Sequence, residues 1–74
     1  MPMNWIPVKS SNIEAIAYDP SKKILSVKFH KSGIYHYEDV PELMYREMLE
    51  AESAGKYFSE YIKGIFDYKK GEDR

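Results

Sequence analysis

The chain has 74 residues, a formal net charge of −1, no cysteine and 43% hydrophobic residues. This length suits one domain near the lower limit for unaided folding, and without cysteine neither a disulfide nor a thiolate metal site can stabilise it. No run approaches the roughly 18 apolar residues of a membrane span, and the first ten residues lack the features of a secretion signal. We therefore expect a single cytoplasmic domain over residues 1–74.

The charge is unevenly distributed along the chain. Residues 1–37 carry a net charge of +3, residues 38–60 carry −5 and residues 61–74 carry +1. This pattern is typical of a mildly basic element and an acidic helix that both face water. The overall balance provides no broad electrostatic attraction to nucleic acid.

The stretch "IEAIAYDPSKKILSVKFHKSGIYHYED", residues 13–39, predicts three strands in an antiparallel meander. Its second turn, "HKSGI", fits a type I turn closed by a left-handed glycine at Gly33. In the register that this turn sets, Phe29 faces Tyr35 and Val27 faces Tyr37. Alternation then gives one apolar face, with Leu25, Val27, Phe29, Tyr35 and Tyr37, and one mostly polar face, with Ser26, Lys28, His30, His36 and Glu38 beside Ile24 and Ile34.

The facing of the first predicted strand is open. Glu14 argues that Ile16 and Tyr18 point outward with it, whereas their size argues that they point inward. A bulge near Ala15 would reconcile the two arguments. The preceding "WIPVKS" offers a short edge strand, because Pro7 cannot occupy a central one.

The second half of the chain predicts two helices. Asp39 and Glu42 match a capping box with Pro41 in the first turn, and Gly55 marks a break before the second helix. Apolar residues recur at helical spacing in both: Val40, Leu43, Met44, Met48, Ala51, Tyr45 and Leu49, then Tyr57, Phe58, Tyr61 and Ile62. We expect Gly64 to end the second helix, residues 65–70 to be extended and residues 71–74 to form a flexible tail.

The predicted fold is α+β, with a three- to four-stranded antiparallel β-meander followed by two short helices packed on one sheet face, and a core over residues 9–70.

Few residues carry chemistry. His30 and His36, predicted on the polar face, could take a divalent metal only with help from Glu14 or Glu38, since zinc usually takes three or four protein ligands, and we interpret them as solvent-exposed strand residues. No serine has an oriented base, and no phosphate-binding glycine loop occurs. We expect a protein that is not an enzyme, with no catalytic residue, metal, cofactor or small-molecule substrate. Tyr35 and Tyr37 are interpreted as core residues, with a stacking platform for bases as the alternative.

The chain resembles the KTSC domain, named for the C-terminus of some lysyl-tRNA synthetases. The matching residues span 9–70: Ser11-Asn12-Ile13, Tyr18-Asp19, Leu25-x-Val27-x-Phe29, Gly33, Tyr35-x-Tyr37, Val40-Pro41, Ala51-x-Ser53-x-Gly55-x-Tyr57-Phe58 and Ile62. The resemblance implies a small bacterial or phage protein, and an RNA-binding role inferred from association with synthetases. One departure weakens phosphate recognition at the C-terminus: Phe66-Asp67-Tyr68 and Lys69-Lys70 replace the family's aromatic-Pro-Tyr and arginines.

The leading hypothesis is therefore a non-enzymatic binding module for RNA or tRNA. The candidate contacts are Lys28, Lys31, His36, Lys63, Tyr68, Lys69 and Lys70, while Tyr35 and Tyr37 are family-motif residues with a structural role. The alternative is a protein-interaction module that uses a sheet edge or the acidic helix.

Overall fold

A computed structural model describes residues 4–71 as a five-stranded antiparallel sheet and two helices. The elements are β1 (Ile6–Pro7), β2 (Ile13–Asp19), β3 (Ile24–Phe29), β4 (Gly33–Tyr37), α1 (Glu42–Glu50), α2 (Ala54–Tyr61) and β5 (Tyr68–Gly71). The strands lie in chain order, so β1 and β5 form the two edges. The predicted α+β class is confirmed, with five strands in place of three or four.

A bulge decides the facing of β2. Ile13 pairs with Phe29 and Ala15 pairs with Lys28, so Glu14 is the extra residue and is exposed. Beyond the bulge Ile16 has no exposed surface and packs in the core. The prediction of a bulge near Ala15 is therefore correct. The bulge lets Glu14 reach water while Ile13 and Ile16, before and after it, point into the core.

The predicted register of β3 and β4 is wrong by two residues. Tyr37 pairs with Leu25 and Tyr35 pairs with Val27. The turn is closed by the Phe29–Gly33 pair, so the left-handed Gly33 (φ 89°) belongs to the ladder and does not end the loop. Because the shift is an even number of residues, the assignment of side chains to the two faces is unchanged.

The predicted capping box of α1 is also wrong. Asp39 has a φ of 61°, whereas an N-cap residue needs an extended backbone. The N-cap position belongs to Pro41, which has no side-chain acceptor to offer. One turn into α1, Glu42 and Arg46 form an ion pair, with 3.0 Å between Arg46 Nη2 and Glu42 Oε2.

Helix α2 begins earlier than the predicted break. Ser53 is its N-cap, and the Ser53 hydroxyl accepts from the Lys56 amide at 3.3 Å. Gly55 therefore lies in the first turn of α2. The residue at this position must be small, because an added Cβ would lie 2.6 Å from Ser10 Oγ.

The helices pack on one face of the sheet, called here the inner face, and form the core with it. The largest fully buried side chains are Ile13, Ile16, Leu25, Met48, Ile62, Val27, Val40 and Ser26. All but Ser26 are apolar, and Ser26 lies on the opposite, outer face. Leu43 departs from the predicted stripe, because 65% of it is exposed on α1.

The C-terminal end of the described chain is a strand. Gly71 pairs with Ile34 as the last residue of β5, although residues 71–74 were predicted as a flexible tail. Residues 72–74 lie outside the described residues. Within residues 4–71 no helix has the length and apolar character needed to cross a membrane.

Candidate nucleic-acid interface

A concavity in the described chain opens between α2 and the inner face of the sheet, at the end where β3 turns into β4. We call it the aromatic cleft, and its volume is about 520 Å³. It is lined by Ser11, Asn12, Ile13, Phe29, His30, Lys31, Ser32, Tyr35, Tyr37, Gly55, Phe58, Ser59, Lys63, Gly64 and Tyr68. This size falls within the roughly 300–1,000 Å³ of small-ligand pockets.

Three tyrosines form one wall of the aromatic cleft. Strand pairing places Tyr37 opposite Tyr68, and the centroids of their rings are 5.3 Å apart. Tyr35 stands beside them, with its ring 5.4 Å from that of Tyr68. Only 5% of Tyr37 is exposed, and its ring packs against Phe58, whereas Tyr35 is half-buried and 56% of Tyr68 is exposed. Tyr37 therefore belongs to the core, and the rings of Tyr35 and Tyr68 meet the cleft.

Lysines accompany these rings. Lys31 and Lys63 line the aromatic cleft, and both are exposed. Lys70 pairs with Tyr35 across β4 and β5, which places its Nζ 5.8 Å from the centre of the Tyr35 ring. Within residues 4–71, no carboxylate forms an ion pair with these three lysines. Three of the seven predicted RNA contacts, Lys31, Lys63 and Tyr68, therefore line this cleft, and a fourth, Lys70, lies beside it over the Tyr35 ring.

The other three predicted contacts lie on the outer face. The Nζ of Lys28 is 5.0 Å from the centre of the Trp5 ring. His36 has its Nδ1 2.6 Å from the hydroxyl oxygen of Ser26, and Lys69 has its Nζ 3.8 Å from a carboxylate oxygen of Glu38. The seven candidates thus occupy two faces of one sheet and cannot act together on one short ligand.

His30 does not share the outer face with His36, as alternation had predicted. Strand β3 ends at Phe29, so His30 is a turn residue whose direction the strand no longer sets. It is exposed, lines the aromatic cleft, and has its Nδ1 3.9 Å from a Glu14 carboxylate oxygen. In the part of the chain that the structure describes, no three His, Asp or Glu side chains lie close enough to hold a metal ion.

The predicted RNA contacts do not include the polar rim of the aromatic cleft. Ser11 and Asn12 reach it because Ser10 turns the chain, accepting from the amides of Asn12 at 3.2 Å and Ile13 at 3.1 Å. Ser59 reaches it from the exposed surface of α2. No local pattern links these residues, because only the docking of α2 on the sheet brings them together.

We expect the free energy of unfolding to decline as the pH rises from about 10 toward about 12. Burial, and secondarily Tyr68 and Tyr35, raises the pKa of Tyr37 to about 12; burial and a hydrogen bond to Glu47 do the same for Tyr57. An unfolded tyrosine ionises near 10, so in this window the unfolded chain has lost protons that the native protein still holds. Below about 10 the contribution to stability is complete.

Urea unfolding across this pH window measures the effect. Tyr37→Phe removes one ionisable hydroxyl and will make the decline less steep. An equal decline in the wild-type protein and in Tyr37→Phe would show that Tyr37 does not contribute.

The family relationship follows from three comparisons. The sequence profile of the KTSC domain matches residues 9–66. The crystal structure of a KTSC domain protein from Yersinia pestis superposes with a TM-score of 0.90 at 39% identity, covering 93% of this chain and 97% of that one. An uncharacterised protein from Stutzerimonas stutzeri is 36% identical over 82% of this chain and 86% of its own length.

A longer relative is also similar. A lysine–tRNA ligase from Nostoc sp. is 38% identical over 61 residues, which cover 82% of this chain but only 11% of the ligase. The similarity therefore concerns one segment of that enzyme. With a profile match over most of its length and a superposable structure, the chain belongs to the KTSC domain family.

Proposed function

We propose that this KTSC domain is a non-enzymatic RNA-binding module, with tRNA as the leading candidate ligand, and that RNA binds in the aromatic cleft. The observation that carries the proposal is the meeting of Lys31, Lys63 and Lys70 with the accessible rings of Tyr35 and Tyr68. Lysine ammonium groups attract phosphates, and exposed aromatic rings stack on bases. Together they match the two chemical components of an RNA strand.

The relatives support the proposal by association. A lysine–tRNA ligase, by its name, acts on tRNA, and such ligases from Nostoc sp. and Trichormus variabilis contain a segment similar to this chain. A domain attached to such an enzyme is well placed to contact the same RNA. The association alone would be weak, because one fold hosts many functions. The lysines and accessible rings at the aromatic cleft add a physical reason to expect RNA binding.

A protein partner on a sheet edge is less well supported. The β5 edge carries Lys69 and Lys70, and the two-residue β1 edge contains Pro7. Charged side chains, proline and short length all discourage the addition of another strand. The acidic helix presents Leu43 to solvent, but the other apolar side chains of α1 are partly or fully buried. RNA therefore remains the better-supported ligand.

Amide chemical-shift mapping with total tRNA, at low and then moderate salt, tests the proposal. We expect shifts around the aromatic cleft that fade as salt rises, since salt weakens phosphate contacts. The double variant Lys31→Ala/Lys63→Ala should bind more weakly, and its salt slope should be lower by about 0.7 for each lost contact.

The charge-matched control is Lys28→Ala/Lys69→Ala, which removes two cations from the outer face. It should bind tRNA with unchanged affinity. Shifts centred on the outer face, or no binding at low salt, would contradict the proposal.

A further inference from the structure

We infer that the aromatic cleft accepts unpaired nucleotides, one or two bases at a time, and excludes duplex RNA. This inference rests on the proposed function and narrows it to one class of RNA. It follows from which rings are accessible, from the position of these rings within the cleft, and from the number of cations around them.

The accessible rings set the number of bases. Tyr37 is unavailable, because its ring packs edge-on against Phe58 and is buried. Among the tyrosines of the cleft this leaves Tyr35 and Tyr68, whose ring planes are inclined by 57° to each other. Two inclined rings cannot form one continuous platform, so each ring offers a face to one base at most.

The ring of Tyr68 is the first of these positions. It is 56% exposed, whereas the ammonium group of Lys70 lies 5.8 Å from the centre of the half-buried Tyr35 ring. A base that stacks on Tyr35 must share this ring with Lys70 or displace it. Within residues 4–71 no lysine lies over the Tyr68 ring, so a base can stack there without displacing a cation, and loss of the Tyr68 ring should weaken binding most.

The surroundings of the rings exclude paired bases. The tyrosine rings share the aromatic cleft with Ser59 and Lys63 from the α2 side and with the turn at residues 30–32. In a duplex the faces of the bases are covered by their stacked neighbours, and the phosphates lie outside. A duplex therefore presents phosphates to the lysines but no base face to Tyr68, whereas an unpaired base can turn into the cleft and stack.

The cations set the salt dependence. Lys31, Lys63 and Lys70 can neutralise at most three phosphates, and each contact to a single strand contributes about −0.7 to the slope of log K against log salt. The slope should therefore be no steeper than about −2. A steeper slope would require a larger electrostatic footprint than this cleft provides.

The test compares three fluorescently labelled RNAs by anisotropy: a short mixed-sequence single strand, the same strand annealed to its complement, and total tRNA. We expect the single strand to bind at least about tenfold more tightly than its duplex, since only the single strand gains stacking. This comparison uses the wild-type protein and depends on no variant.

Variants then locate the stacking ring. Tyr68→Ala should weaken single-strand binding by roughly 5- to 150-fold, the range that corresponds to the stacking of one base, whereas Tyr68→Phe retains the ring and should stay within about threefold. Tyr61→Ala is the matched control, because this tyrosine is 50% exposed but does not line the cleft. The affinity of Tyr61→Ala for the single strand should equal that of the wild-type protein.

Two failures are distinguishable. If the duplex binds as tightly as the single strand, or if Tyr68→Ala binds normally while Lys31→Ala/Lys63→Ala does not, the inference is wrong and the RNA-binding proposal survives. If none of the three RNAs binds at low salt, the proposed function fails and the inference fails with it.

Discussion

Phe58→Ala should lower the free energy of unfolding by about 3–5 kcal/mol, the usual cost of truncating a buried phenylalanine. Only 5% of Phe58 is exposed, and its ring makes edge contacts with Phe29 at 5.5 Å and Tyr37 at 5.2 Å between centroids. This one side chain joins α2 to both β3 and β4. Its removal leaves a cavity that the sheet cannot close, because the surrounding rings are held by their own strands.

The consequence is large for a chain of this size. At roughly 0.05–0.15 kcal/mol per residue, the whole domain has about 4–11 kcal/mol of stability. Phe58→Ala therefore removes between about a quarter and all of it. Urea unfolding should show a fall in midpoint of about 3–5 M if the slope is near 1 kcal/mol per M, or a protein that is already unfolded in buffer.

Tyr61→Ala provides the control on the same helix. Its ring is 50% exposed and lies 4.7 Å from that of Tyr57, so its loss should cost no more than about 0.5–1.5 kcal/mol. If Phe58→Ala costs no more than Tyr61→Ala, α2 is not held to the sheet through Phe58. If the Phe58→Ala protein remains folded, its RNA affinity can be measured, which shows whether binding in the cleft depends on this packing contact of α2.

The facing of β3 and β4 was predictable from the sequence, whereas their register was not. Whether Tyr35 and Tyr37 point inward depends only on the alternation of side chains, which survives a shift of two residues. The register depends on where the turn closes, and the Lys31–Gly33 segment allows two positions for the left-handed glycine. Closure at the Phe29–Gly33 pair is selected by the whole sheet, including β5, which the sequence showed only as an extended segment.

Helix starts were less predictable, for a local reason. The residue types at positions 39 and 42 fit a capping box, but Asp39 has a φ of 61° in the connection that follows β4. The amide of the next residue, Val40, donates to the carbonyl of Lys23 at 2.9 Å and so ties this connection to the turn between β2 and β3. A long-range backbone bond therefore overrides a good local signal.

The candidate site was half predictable. The sequence named the basic residues and Tyr68, but it could not assign those outside β3 and β4 to a face of the sheet. On β5, alternation sends Tyr68 and Lys70 to the inner face and Lys69 to the outer one, and this follows only once the pairing of β5 with β4 is known. Lys31 and Lys63 come from two connections far apart in sequence, so only the tertiary fold could place them beside the same rings.

Gly55→Ala should destabilise the protein by about 1–2 kcal/mol, although alanine is the better helix former. In an open helix position the exchange would gain up to about 1 kcal/mol. Here the new Cβ would lie 2.6 Å from Ser10 Oγ, and overpacking of this kind costs about 1–3 kcal/mol. The hydroxyl cannot easily rotate away, because it accepts from the amides of Asn12 and Ile13.

Ser10→Ala reverses the sign of this effect. Alone it should cost about 1–2 kcal/mol, since two amides lose their acceptor. In that background, however, the Cβ added at Gly55 meets only the Cβ of residue 10, at an ordinary contact distance of 3.7 Å. Gly55→Ala should then be neutral or stabilising, and a double-mutant cycle by urea unfolding should give a coupling of about 1–3 kcal/mol. Additive costs would mean that the Ser10 hydroxyl is not what excludes a side chain at residue 55.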